Sequence, residues 1–349
     1  MRGRHALTIA LVAVIGTLML LRHHVRDLSE VARTYATFYS YLEQHPKTLF
    51  QYPAPAGESQ RLHTEDELAP RIIHQIFLTE GRNSSIAKYE PGIRSCQAVH
   101  PDWTHNLWTD ANATAFIAEH YPGVLPHYEG YKQSIQRANI LRYALLDHFG
   151  GVYLDVDITC LHPLDDLRHV PFLTPGAYPA GVNNAFILTR PHHGFLQHLL
   201  EGVQSRDLFW GMPYIENMLS TGCMFFSNRW MSYARSLSAS SPDADRQFIL
   251  ADEDGDIESH MLRGAITTPL FTHGGASSWH GWDAAAIVMI GKHYYYALAL
   301  GGCGLLFATF GIWRCIFSRA RGERRWQALK RLSMDKSDDR EALAGLKEG

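Results

Sequence analysis

The chain has 349 residues, enough for one large domain or two small ones, and a net charge of −3. A charge so near balance gives no electrostatic footprint for nucleic acid, so no nucleic-acid partner is expected. The five cysteines follow no metal-ligand spacing. Cys96, Cys160 and Cys223 lie outside the apolar runs and allow one disulfide, whose pairing the spacing does not select.

Residues 1–5 are basic, and Ala6–Leu21 is apolar without a charge. As a helix these residues rise ~24 Å, slightly short of a ~30 Å hydrocarbon core. Arg22, His23, His24 and Arg26 follow at once. They leave no small-residue cleavage site, so an uncleaved membrane anchor over 6–21 is expected rather than a cleaved signal peptide. Leu28, Val31, Tyr35, Phe38 and Leu42 keep helical spacing. They predict a stem helix that either pairs with a second copy or packs on the domain. Pro46–Pro70 reads as linker, so 22–70 is taken as stem and linker.

The globular domain is expected over 71–285. It opens with the β-rich run RIIHQIF at 71–77. A strand follows over Trp103–Trp108, with Thr109-Asp110 capping the next helix. Asn83 and Asn112 head N-x-S/T triplets, acceptors for glycosylation if the domain is luminal. A helix is predicted across Ala138, Leu141, Leu145 and His148, stopped by Gly150-Gly151. Val152-Tyr153-Leu154 then runs as a short strand into Asp155-Val156-Asp157. Carboxylates at i and i+2 point to one side. At the carboxyl end of a strand they occupy the usual ligand crevice of an open α/β sheet. Two like charges so close resist joint ionisation unless a cation lies between them. Oxygen ligands of this kind suit Mg²⁺ or Mn²⁺ with substrate phosphates. Further strand signal lies at 183–188 and helix signal from His192 to Val203. Ser238–Glu258 reads as a polar surface loop.

His293–Trp313 is a second charge-free run, ~31 Å long as a helix, with tyrosines at one end and a tryptophan at the other. The tail over 314–349 is rich in Arg and Lys near the run. The positive-inside rule therefore places it in the cytosol. Two spans then return the N-terminus to the cytosol and put the middle domain in the lumen.

Four segments in this order, RIIHQIF at 71–77, ANILRYALLDHFGGVYLDVDI at 138–158, LHPLD at 161–165 and HGGASSWH at 273–280, resemble glycosyltransferase family 32, the fungal Golgi mannosyltransferases. Gly181-Val182-Asn183-Asn184 and Ser220-Thr221-Gly222 look most like the subunits that mannosylate inositol phosphorylceramide. The resemblance implies a GT-A fold, an α/β nucleotide-sugar-binding domain, with Mn²⁺ or Mg²⁺ and GDP-mannose as donor. It also implies a membrane sphingolipid acceptor, a Golgi membrane location, and a possible regulatory subunit or homodimer.

It assigns Asp155 and Asp157 as the catalytic pair and, with His273, as the metal ligands. His74, Gln75, Asn139, Arg142, Tyr153, Ser278 and Trp279 would bind the donor, and Asp165, Asn183, Asn184 and His280 would lie on the acceptor side. Where the family usually has Asp, this chain has Asn139; where Trp is common, it has Phe77. The family acts with retention, so a donor phosphate oxygen would take the acceptor proton. A double displacement would instead need a nucleophile such as Asp165, Asp166 or Asp283. Transfer to protein-linked glycans is the alternative within the family. Outside it stand a non-catalytic regulatory subunit and a DxDxT phosphatase, with Asp155 as phosphoryl nucleophile. The scarcity of later lysines argues against the phosphatase.

Overall fold

A computed structural model describes residues 15–17, 19, 21–53, 67–79, 85–238, 240–275 and 281–292, with isolated helical positions between 303 and 314. It divides into a unit over 1–281 and a second over 282–349. In the first, the chain runs α1 (Arg22–Gln44), β1 (Leu49–Gln51), β2 (Ile72–Phe77), α2 (Glu90–Val99), β3 (Thr104–Thr109), α3 (Asp110–His120), α4 (Leu125–Gly130), α5 (Ser134–Phe149), β4 (Gly151–Leu154) and β5 (Ile158–Cys160). It continues through β6 (Phe172–Thr174), β7 (Phe186–Thr189), α6 (Gly194–Arg206), α7 (Pro213–Ser220), α8 (Cys223–Ser236), β8 (Phe248–Ala251), β9 (Ile266–Thr267) and β10 (Phe271–His273). The second unit holds α9 (Trp282–Lys292).

Seven strands form one sheet in the order β1-β8-β6-β7-β4-β2-β3, and β5, β10 and β9 form a small antiparallel one. In the large sheet β7 alone runs against both neighbours; the other pairings are parallel. This is a mixed α/β domain. Alternation along the strands divides the core in two. Tyr153 and Ile187 enter one buried cluster with α1, α5, α6 and α8. Val152, Leu154, Phe186 and Leu188 enter the other, beside β5 and β10.

The Gly150-Gly151 stop is enforced by contact. Both take positive φ, 65° and 86°. A Cβ on Gly150 would lie 2.6 Å from Pro191 N, and one on Gly151 2.5 Å from Ile72 O. Only glycine therefore lets α5 turn directly into β4 beside β2.

One open sequence expectation is narrowed and two are corrected. The predicted stem helix is α1; the domain covers the C-terminal part of its apolar stripe, while Leu28 at the other end is exposed. Phe38 and Leu42 are buried, with Phe38 and Tyr41 edge-on to Trp230 of α8. Burying Phe38 and Leu42 contributes about 1.5–3 kcal/mol each, so this part of the stripe is not left for a second copy. Leu49–Gln51, inside the expected linker, pairs parallel with β8 as an edge strand. The fold therefore begins at α1 rather than at residue 71. Ser238–Glu258 is not wholly surface loop: Phe248–Ala251 lies between β1 and β6, and Ile249–Ala251 is buried. Asp252 accepts hydrogen bonds from the amides of Asp254 and Asp256, so it shapes the turn after that strand.

Among the described residues no helix is long and apolar enough to cross a membrane. Most of 6–21 and of 293–313 lies outside those residues. Ala276–His280, including the expected site residues Ser278, Trp279 and His280, is also outside them, as is Asn83. Asn112 is exposed and is the third residue of α3, where its side chain accepts from the Thr109 amide.

Candidate active site

Asp155 and Asp157 follow β4 in the turn that leads to β5. β10 pairs antiparallel with β5, His273 opposite Ile158, and the Gly274 amide donates to Asp157 O at 2.8 Å. That pairing brings a histidine from 116 positions downstream to the acidic turn. His273 Nε2 lies 3.6 Å from Asp157 Oδ1, and ligand atoms of Asp155, Asp157 and His273 lie within 4.8 Å of one another. The other imidazole nitrogen, Nδ1, sits 2.7 Å from Gly264 O. A carbonyl can only accept, so Nδ1 carries a proton, and Nε2 is the nitrogen placed to take a cation. Two carboxylates and an imidazole so arranged fit a divalent cation.

Asp155 is held from behind. The Tyr153 phenol donates to its Oδ1 at 2.7 Å, and Arg142 Nη1 is 3.2 Å from the same oxygen. Arg142 is buried, its guanidinium 4.3 Å over the Tyr153 ring, and it donates to Asn184 O at 2.6 Å. Burial raises the Asp155 carboxyl above the usual range, and the Arg142 charge opposes that rise. Burial also drives the Tyr153 phenol well up, so it stays a donor. Arg142 thus pairs with Asp155 rather than with Asp147, which instead accepts from Tyr121.

These groups open onto a cavity of about 520 Å³, large enough for a small organic ligand. Next to Arg142 it is lined by a buried amide network. Asn139 Nδ2 donates to Asn217 Oδ1 at 2.9 Å and to Thr221 Oγ1 at 3.2 Å. Asn184 Nδ2 donates to Asn139 Oδ1 and to the Tyr143 hydroxyl, and the Cys223 thiol donates to Asn184 Oδ1. Another part of the lining is apolar, with Ile76, Phe77, Leu78, Tyr89 and Ile135; the Phe77 and Tyr89 rings lie 5.9 Å apart.

The structure thus gathers Asp155, Asp157, His273, Asn139, Arg142, Tyr153, Asn183 and Asn184 around one cavity. It leaves out three expected members. His74 is fully buried between Trp108, which donates to its Nδ1, and Gly150 O; burial lowers its pKa to about 4. Gln75 is also buried and does not line the cavity. Asp165 accepts from Arg71 and Trp103, tying β2 to the segment after β5. Tyr89, Tyr214, Asn217, Met218 and Cys223 line the cavity and were not foreseen. They come from helices or helix ends carrying no motif of their own.

An acidic pair at a strand end with a cavity beside it is the ordinary place for a ligand site in an open α/β sheet. Residues 88–173 match the family described as the glycosyltransferase sugar-binding region containing a DXD motif. The chain is 32% identical over 238 residues to inositol phosphoceramide mannosyltransferase 2 of Schizosaccharomyces pombe, covering 68% of this chain and 66% of that protein. It is 32% identical over 254 residues to mannosyl phosphorylinositol ceramide synthase CSH1 of Saccharomyces cerevisiae, covering 71% of this chain and 64% of that one. The chain therefore matches just under two thirds of the length of these relatives. Among solved structures, the PaToxG glycosyltransferase matches with a TM-score of 0.38 and 14% identity, over 62% of this chain and 82% of that one.

Proposed function

We propose that the chain is a retaining, metal-dependent mannosyltransferase of GT-A fold that moves mannose from GDP-mannose to inositol phosphorylceramide. The observation that carries this reading is the convergence of Asp155, Asp157 and His273 on the cavity, with the amides of Asn139, Asn184 and Asn217 lining the same space. Kinship to the two ceramide-lipid mannosyltransferases supplies the acceptor class.

Asp155, Asp157 and His273 would hold the cation, and the imidazole favours Mn²⁺ over Mg²⁺. The cation supplies Lewis-acid stabilisation of the leaving diphosphate. The chain's own groups do the rest. Phe77 and Tyr89 offer aromatic surface for a nucleobase. The amide wall offers donors and acceptors to sugar hydroxyls without a charge. Tyr153 and Arg142 fix one oxygen of Asp155, leaving the other to face the ligand. Asp155 and Asp157 are the only carboxylates among the described residues lining the cavity, and both would be taken up by the cation. This favours same-face transfer, with the donor phosphate as base, over a double displacement through Asp165.

The location follows the same reading: spans over 6–21 and 293–313, both termini cytosolic, and the domain in the Golgi lumen. The Cys96–Cys160 disulfide supports an oxidising compartment. The test offers radiolabelled GDP-mannose with either inositol phosphorylceramide or a mannan oligosaccharide to the full chain in detergent. Label in the lipid is the expected result. Label confined to the oligosaccharide keeps the enzyme class and overturns the acceptor.

A further inference from the structure

Asp207–Met212 joins α6 to α7 and carries the sequence Asp-Leu-Phe-Trp-Gly-Met. Phe209 is 76% exposed, although its backbone is fixed. The Phe209 carbonyl is bonded by His24 Nε2 at 3.0 Å. The amides of Trp210 and Gly211 both donate to Glu216 Oε1. Asp207 is paired with His127 at 2.8 Å. Trp210 packs edge-on against His24, with ring centroids 4.6 Å apart. One exposed ring on a tethered loop is ordinary in itself, so its meaning depends on what surrounds it.

The neighbours of this loop identify its partner. His24 stands three residues beyond the apolar run 6–21. Helical hydrogen bonding passes through the junction, from Leu21 N to Thr17 O and from Val25 N to Leu21 O. The apolar run therefore leads directly into α1. α1 is in turn locked to α6 by Arg206, which pairs with buried Asp27 and with Glu30, and by Arg26 on Ser205 O. Ile15, Met19, Leu21, Val25 and Leu28 are all exposed on this end of the helix. Exposed Arg22 stands among them, a cationic side chain of the kind that anchors a helix end at the membrane–water boundary. His24 lies ~4.5 Å along the helix from Leu21, within a headgroup layer ~5–7 Å deep on each side of the core.

We infer that the Phe209–Trp210 loop is a second membrane foothold, which enters the luminal bilayer interface beside the N-terminal helix. Phenylalanine and tryptophan beside cationic groups are the chemistry of interfacial insertion. The consequence for the site is direct. α7 begins at the next residue, and its Tyr214, Asn217 and Met218 line the cavity. One rigid loop thus ties the height of the cavity wall to the lipid surface that would present the acceptor.

This inference rests on reading 6–21 as a membrane anchor, and the test separates the two. In the full chain with its free thiols changed to serine, an environment-sensitive fluorophore is attached through Phe209→Cys, Met19→Cys or Glu253→Cys, one at a time. Glu253 is exposed, and its carbonyl is bonded by Gln51 beyond the far end of α1. Each protein is reconstituted into phosphatidylcholine–phosphatidylinositol vesicles carrying a doxyl label high on the acyl chain. The expected result is blue-shifted, quenched emission at 209 comparable with that at 19, and none at 253. Quenching at 19 without quenching at 209 overturns the foothold and leaves the anchor standing. Shielding of 209 from both doxyl lipid and aqueous iodide points to a protein partner and also overturns it. Absence of quenching at 19 overturns both.

Discussion

Arg142 Nη1 and Asp155 Oδ1 lie 3.2 Å apart, a pair in which the guanidinium is buried and the carboxylate faces the cavity. The arginine works through the aspartate as much as on any ligand: it opposes the desolvation of Asp155 and, with Tyr153, takes up one of its oxygens. Arg142→Ala would leave that carboxylate without its countercharge, at a cost of about 3 kcal/mol. Thermal unfolding should show the loss. Arg142→Lys should restore part of the stability but less of the activity, because an ammonium cannot make the planar stack on Tyr153.

Asn139→Ala removes partners from Asn217, Thr221 and Asn184 together. Leaving buried amides unpaired costs about 1–3 kcal/mol. The expected kinetic effect is a rise in KM for GDP-mannose of roughly tenfold, the equivalent of 1.4 kcal/mol. Asn139→Asp introduces a buried charge facing an amide oxygen until the Asn217 amide flips. A donor KM unchanged in both variants would remove the amide wall from sugar recognition.

His74 supplies a pH dependence of stability. Its folded pKa, about 4, lies below the unfolded value near 6.5. Between those values the unfolded chain binds more protons, so stability rises with pH. The contribution is fully present above pH ~6.5 and is lost as pH falls toward 4, by up to roughly 3 kcal/mol. In His74→Phe, denaturant unfolding across this window should show a slope smaller by about 1.4 kcal/mol per pH unit at its steepest. An unchanged slope would mean that His74 is not buried in its neutral form.

The Cys96–Cys160 bridge closes a separation of 64 residues and ties α2 to the strand that follows the acidic turn. Chain-entropy arguments give it about 4 kcal/mol. Reductant, or the double change Cys96→Ser with Cys160→Ser, should lower the melting temperature. It should also weaken cation binding, since β5 positions both Asp157 and His273.

What could be read from sequence was local. Helix α5, its glycine stop, β4 and the acidic pair occupy one continuous stretch, and each obeys its own periodicity. β1 and β8 escaped because they are short and pair in parallel across some two hundred residues, with no turn to announce them. The stripe on α1 was visible, but a stripe does not say what covers it; Trp230 and Arg206 do. His74 and Gln75 belong to the RIIHQIF motif at 71–77. On a central strand covered on both sides, neighbours pointing opposite ways can both be buried, and here they are. Asn217, Cys223 and Tyr89 reach the cavity only through tertiary packing.

The cation site is the claim on which the chemistry depends, and Mn²⁺ electron paramagnetic resonance on the full chain with GDP-mannose tests it most directly. Wild-type protein should bind one Mn²⁺ with nitrogen hyperfine coupling from imidazole. His273→Ala should bind more weakly and lose that coupling, and Asp157→Ala should fail to bind. Wild-type binding and nitrogen coupling retained in both variants would contradict the site assembled from Asp155, Asp157 and His273.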